Sequence, residues 1–180
     1  ITVENPPVNA LSQAVRAGLA ECLEKGINDN EAEALIVTGG GRTFMAGADI
    51  SEFGKPAKSP DLNSVINAYE NSPKAIIAAL HGTPLGGGLE VSLGCHYRIA
   101  NSKTLLGLPE VKLGLLPGAG GTQRLPRLVG PEIALEMITS GNPIPASKAL
   151  KEGLVEEVYE VNSLDELIEK AIIFAKSIIT

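Results

Sequence analysis

The stretch Ala75-Ile76-Ile77-Ala78-Ala79-Leu80-His81-Gly82-Thr83-Pro84-Leu85-Gly86-Gly87-Gly88-Leu89-Glu90 reads as a buried strand, a turn, and a helix opened by three consecutive glycines. Six apolar residues bounded by turn residues have the length of a buried strand. The glycines carry no side chains, so their N–H groups can approach a ligand closely, and Glu90 would sit one helical turn beyond them. A second carboxylate follows in Gly107-Leu108-Pro109-Glu110. An amide cradle beside a carboxylate suits a reaction that builds negative charge on a carbonyl oxygen.

Outward from this stretch, strands and helices alternate. Ile1–Glu4 is a short strand broken by Asn5-Pro6-Pro7. Leu11, Val15, Leu19, Cys22 and Leu23 form a helical stripe from Ser12, closed by Gly26 and Asn28, with Cys22 on the buried face. Ala34–Thr38 is a buried strand ended by Gly39-Gly40-Gly41, and Cys95–Ala100 is another, with Cys95 packed at its start. Helices follow at Pro131–Thr139 and Ala146–Glu152, then a strand at Leu154–Tyr159. The last helix starts at a capping box, Ser163-x-x-Glu166. The polar segment Gly54–Asn63 is expected to be a mobile loop. This alternation predicts a single α/β domain over 1–180 with largely parallel pairing. The chain opens on Ile1 and closes inside an apolar pattern, Ile178-Ile179-Thr180, and is therefore expected to be a fragment of a longer one.

Composition narrows the function. Of 180 residues, 44% are hydrophobic and 20% charged, the balance of a globular protein. Aromatics are 3% with no Trp, which leaves little for stacking nucleic-acid bases. Lys and Arg number 15 against 21 Asp and Glu, a net charge of -6, which argues against phosphate-backbone binding. Cys22, Cys95, His81 and His96 are too few and scattered for a zinc site, so no metal is expected. No apolar run approaches the ~20 residues of a membrane span.

Spacing removes several chemistries. Gly82 and Gly87 are followed by Gly88 and Leu89, so the lysine of a P-loop is missing. The sixth position from Gly86 is Val91 and from Gly118 is Gln123, which breaks the dinucleotide fingerprint. Glu90 stands where a nucleophile elbow at Ser92 needs glycine. Taken singly, the remaining features have plain readings. Glu90 is also what the helix macrodipole favours in a first turn, Glu110 suits a solvated loop, and Gly118–Gly121 suits a tight turn before a helix. His81 and His96 lack partner patterns and read as core or turn residues.

Three glycine-and-acid blocks remain: Phe44-Met45-Ala46-Gly47-Ala48-Asp49-Ile50, Leu85–Glu90, and Gly107–Glu110 with Leu116-Pro117-Gly118-Ala119-Gly120-Gly121-Thr122-Gln123-Arg124. In order and wording they resemble the crotonase superfamily, in its enoyl-CoA hydratase/isomerase branch. Gly94–Asn101 followed by Gly107–Val111 is most similar to the N-terminal hydratase/isomerase region of multifunctional fatty-acid β-oxidation enzymes. The resemblance implies a crotonase-like spiral of repeated ββα units, in which the family would add a C-terminal helical segment beyond Thr180.

It also implies that the amides of Ala48 and Gly87 form an oxyanion hole for a thioester carbonyl, and that Glu90 and Glu110 hold the reacting water. Glu110 would shuttle the proton at the α-carbon, Glu90 would orient and activate the water, and the Gly118 amide would also contact it. Ala46, Asp49, Ile50, Gly86, Pro109 and Gly118 are the implied substrate- and CoA-contacting positions. Asp49 further suits a cap on the turn after the Ala48 amide. Ser51 replaces a lysine common in hydratases, leaving Lys55 and Lys58 as candidates for CoA phosphates. The implied reaction is syn hydration of a trans-2-enoyl-CoA. The alternatives are Δ3-Δ2-enoyl-CoA isomerisation and noncatalytic acyl-CoA binding. Coenzyme A enters only as part of the substrate, with no permanently bound cofactor. Implied partners are a homotrimer or a following 3-hydroxyacyl-CoA dehydrogenase region, and the implied location is cytoplasmic in a bacterium or peroxisomal in a eukaryote. Two carboxyls in one dry cleft are expected to have split proton affinities.

Overall fold

Strands buried on both faces need apolar residues at every position, and the most apolar stretches lie at the centre of a parallel sheet. A computed structural model describes every residue except Phe53, Ala57 and Thr180. Its sheet has five strands in the order β1 (Thr2–Val3), β2 (Ala34–Gly39), β3 (Ala75–Leu80), β4 (Tyr97–Asn101), β7 (Glu157–Tyr159). All neighbours are parallel, as in Ile36 opposite Ile77 and Ala79 opposite Ile99. A separate antiparallel pair joins β5 (Leu105–Leu106) to β6 (Ile144–Pro145).

The period of two divides β3 between two cores. Ile76, Ala78 and Leu80 face the larger one, with Leu89, Val91 and Leu125. Ile77 and Ala79, with Ile99, face the final helix α7 (Leu164–Ile178), which contributes Leu167, Ala171, Phe174 and Ala175. Tyr97 and Phe174 meet edge to face there, with centroids 5.6 Å apart. Ser163 caps α7 by accepting from the Glu166 amide at 3.1 Å, while the Glu166 carboxylate reaches past the cap to the Asn162 amide at 2.9 Å.

Each central strand is followed by a short extended segment and then a helix. After β2 this segment holds Ala46 and Ala48 and leads to α2 (Leu62–Glu70), and after β3 it holds Leu85 and leads to α3 (Gly87–Gly94). After β4 it holds Gly107 and leads to the 3-10 turn Glu110–Leu113 and to α4 (Gly121–Val129). The extended segments pair side by side in parallel, Ala46 with Leu85 and Leu85 with Gly107, while Leu11 pairs with Ala48. The expected ββα spiral is therefore present. It also explains the spacing of the three sequence blocks, because each is the second extended segment of one turn.

Several expectations need correction. Leu62 and Asn63 belong to α2 rather than to a loop, capped by Asp61, which accepts from the Ser64 amide at 2.8 Å. Within that segment Arg16 holds two residues, its guanidinium donating to the carbonyls of Pro60 and Lys58 while it pairs with Glu52. Ala57 of the expected loop and Thr180 of the terminal pattern lie outside the described residues. Cys22 is exposed, because the buried stripe of α1 (Gln13–Asn28) runs through Arg16, Leu19 and Leu23. Cys95 is buried but caps the end of α3, its amide bonding to the Ser92 carbonyl, and β4 starts two residues later. The strand expected at Leu154–Tyr159 is reduced to Glu157–Tyr159. Finally, α5 (Pro131–Ser140) and α6 (Ala146–Lys151) complete the helices at nearly the expected limits.

Candidate active site

Helix α3 is buried along its whole length, and its glycines set how closely it packs. A Cβ on Gly88 would stand 1.9 Å from the Met45 carbonyl oxygen, so the first turn of the helix is pressed against the preceding block. Gly86 enters the helix with φ +53 and ψ -128, a conformation that favours glycine. Its amide bonds to the Gly107 carbonyl at 2.9 Å, and Leu85 bonds to the Met45 carbonyl at 3.2 Å. These bonds bring the three blocks to one place.

There they line a cavity of about 370 Å³. Ala46, Ala48, Ile50, Gly86, Gly87, Glu90, Pro109, Glu110 and Gly118 all face it. Asp49 does not; its carboxylate accepts from the Ser51 amide at 2.9 Å and caps the turn Ile50–Glu52. Lys55 and Lys58 border a separate surface depression with Gln13 and Glu52, away from this cavity. Leu62, Leu113, Leu115 and Leu116 make the mouth apolar. Among the described residues, no internal hydrogen bond uses the amide of Ala48 or of Gly87. The two are close: a Cβ on Gly87 would lie 3.8 Å from the Ala48 nitrogen.

The carboxyl groups differ in their partners. Glu90 is 2% exposed, and its Oε1 accepts from the amides of Ala119 and Gly121, each at 2.8 Å. Burial raises its pKa, and these two bonds with the nearby Arg124 charge pull it back down. Glu110 Oε2 is buried without a hydrogen-bond partner among the described residues. Burial raises the Glu110 pKa, its own backbone amide lowers it, and the negative charge of Glu90 raises it further. Both affinities thus move upward, with only Glu90 stabilised as an anion by amides from outside its own residue. Among the described residues, no group of three His, Cys, Asp or Glu could hold a metal ion.

Sequence reading missed part of this arrangement. The amides that reach Glu90 belong to Ala119 and Gly121, and the Gly118 carbonyl accepts from Asn63 at 3.1 Å. The signal for α2 was present: Asp61 before an apolar stripe at Leu62, Val65, Ile66 and Tyr69. His81 and His96 serve the sheet, His96 accepting from the Ile76 amide and His81 contacting the Gly39 carbonyl.

A parallel ββα spiral of this kind is the architecture of crotonase-fold enoyl-CoA hydratases. The model of the enoyl-CoA hydratase/isomerase family matches residues 1–180, and the chain belongs to that family. It is 49% identical over 172 residues to the peroxisomal bifunctional enzyme of Danio rerio, covering 96% of this chain and 24% of that protein. The chain therefore spans about a quarter of that relative's length. A probable enoyl-CoA hydratase of Bacillus subtilis is 46% identical over 180 residues, covering 95% of this chain and 68% of its own. The crystal structure of an enoyl-CoA hydratase from Bacillus anthracis superposes with a TM-score of 0.87 at 37% identity, covering 98% of this chain and 71% of that one.

Proposed function

We propose that this chain carries the hydration site of an enoyl-CoA hydratase and adds water to a trans-2-enoyl-CoA to give a 3-hydroxyacyl-CoA. The observation that supports the reading is the shared cavity: Ala48 and Gly87, whose amides have no internal partner among the described residues, line it together with Glu90, held by two amides, and Glu110, whose buried Oε2 has no partner among them. When the water oxygen bonds to the β-carbon, the electron pair of the double bond moves toward the thioester and leaves an enolate oxygen. The Ala48 and Gly87 N–H groups receive that charge, each contributing roughly 3 kcal/mol to the transition state.

The acids divide the proton work by environment. Burial and the Glu90 charge favour the protonated form of Glu110, which delivers its proton to the α-carbon. Two amides support the carboxylate form of Glu90, which orients the water and takes a proton from it. Proton exchange after product release restores the starting state. The likeness to a peroxisomal bifunctional enzyme supports a place in fatty-acid β-oxidation, with further catalytic regions in the whole protein. Coenzyme A is then needed only as part of the substrate.

The test is incubation of the full-length protein with crotonyl-CoA, following loss of the enoyl absorbance. Glu110→Gln is expected to lower kcat by a factor of about 10² or more. Turnover of a 3-enoyl-CoA without hydration would replace this reading with isomerisation. Tight acyl-CoA binding without any turnover would replace it with a noncatalytic site.

A further inference from the structure

Three polar side chains on one face of α2 hold the stretch Gly118–Arg124, which supplies the hydrogen-bond donors to Glu90. Asn63, Asn67 and Glu70 are spaced at i, i+4 and i+7, so they form a row along the helix. Asn63 Nδ2 donates to the Gly118 carbonyl at 3.1 Å. Asn67 Oδ1 accepts from Arg124 Nη2 at 2.8 Å, and the Glu70 carboxylate takes Arg124 Nε at 3.1 Å and Nη2 at 2.7 Å. The same guanidinium donates through Nη1 to the Ala119 carbonyl at 3.2 Å. It lies so close over Gly120 that a Cβ there would stand 2.0 Å from Nη1.

The gripped carbonyls sit on the loop that supplies the Glu90 donors. The Gly118 carbonyl and the Ala119 N–H belong to one planar peptide, in which C=O and N–H point in opposite directions. Asn63 holds the oxygen end, and Glu90 Oε1 receives the hydrogen end at 2.8 Å. The next carbonyl, that of Ala119, is held by Arg124, and one residue later the Gly121 N–H reaches the same Glu90 oxygen. A hydrogen bond at the carbonyl both fixes the plane and polarises the N–H at its far end.

We propose that Asn63 and Arg124 are positioning residues, which aim the Ala119 and Gly121 amides at Glu90 and so fix the geometry and charge state of that carboxyl group. The inference rests on the reading of Glu90 as a reacting group. The charged groups around Glu90 are Glu110 from the 3-10 turn and Arg124 from α4, with Glu70 of α2 behind Arg124. Losing the Asn63 donor weakens the Ala119 N–H, and losing the Arg124 charge removes a second stabilisation of the anion. Either change moves the Glu90 pKa upward.

The experiment is a carbon-13 NMR titration of glutamate-labelled full-length protein, with the Glu90 signal assigned by its loss in Glu90→Gln. Wild type, Asn63→Ala, Arg124→Gln and Arg124→Lys are compared, alongside kcat and KM for crotonyl-CoA. Asn63 is exposed on α2, so Asn63→Ala removes the donor without opening the core. The expected result is an upward shift of the Glu90 midpoint in Asn63→Ala and Arg124→Gln, partly reversed in Arg124→Lys. A fall in kcat of about fivefold at nearly constant KM, the scale of one neutral hydrogen bond, should accompany it. An unmoved Glu90 midpoint in folded Asn63→Ala and Arg124→Gln overturns the proposal, as does lower thermal stability as the only effect. If the wild type hydrates nothing, the functional reading fails, yet the titration still decides whether these side chains control Glu90.

Discussion

Glu90 and Gly121 fit each other at the limit of contact: Glu90 Oε1 accepts from the Gly121 amide at 2.8 Å, and a Cβ on Gly121 would lie 3.0 Å from the same oxygen. That Cβ would also meet Leu108 and Pro117, each at 3.1 Å, so it has no free direction. Gly121→Ala is expected to push the Glu90 carboxylate off its axis while leaving the distant sheet intact. An error of about 1 Å in a reacting group costs up to ~10²-fold in rate. Steady-state hydration kinetics, with circular dichroism to confirm folding, check this.

The buried Glu110 carboxyl should make the fold depend on pH. Its pKa is raised above the ordinary glutamate value, chiefly by burial, so the folded chain binds this proton more tightly than the unfolded chain. The contribution of Glu110 is therefore most favourable at low pH and is lost as pH rises from the ordinary value through the raised one. Glu110→Gln removes this dependence. The variant is expected to melt higher than wild type at pH 8 and to lose that advantage near pH 4, as read by melting temperatures across this range. An advantage that persists at low pH, or never appears, contradicts the assignment.

Gly88→Ala tests the close approach of α3 to the first block. Its Cβ would meet the Met45 carbonyl oxygen at 1.9 Å and the carbonyl carbon at 2.5 Å, both backbone atoms that cannot rotate away. The expected cost is about 1–3 kcal/mol or more, measured as a lower urea midpoint at an unchanged slope.

Arg98 anchors the opposite end of the same helix. It is 2% exposed and donates to the carbonyls of Ser92, Cys95 and Leu154, with its ion pair to Glu156 at 2.9 Å. Arg98→Ala takes the guanidinium donor from the Cys95 and Leu154 carbonyls, leaves that of Ser92 with the Cys95 amide alone, and is expected to destabilise by roughly 3 kcal/mol. Arg98→Lys should recover only part of this in the same denaturation experiment, because one ammonium cannot reproduce the planar fork.

Much of the architecture is legible in local pattern. Ala75–Leu80 is a strand at its expected limits, since six apolar residues between turn residues leave little alternative. Ser12 and Ser163 mark helix starts because a hydroxyl before an apolar stripe has a definite amide to accept from. The start of helix α2 is hard to read because Gly, Pro and Lys dominate the stretch before it, although its stripe and its Asp61 cap follow the same rules. The exposure of Cys22 is not legible in the pattern because one helical position separates the buried stripe from its exposed flank.

The sequence alone determined which residue types are available to the site: glycines able to bring amides close, and two acids attached to them in three blocks of fixed order. Only the tertiary structure decided which atoms meet. Glu90 takes its partners from Ala119 and Gly121, residues 29 and 31 positions away, and Asn63 reaches Gly118 across 55 positions. Local periodicity records which face of an element is buried. The meeting of a carboxylate with one particular amide depends on how the turns of the spiral stack, and that follows from side chains packed across the whole core.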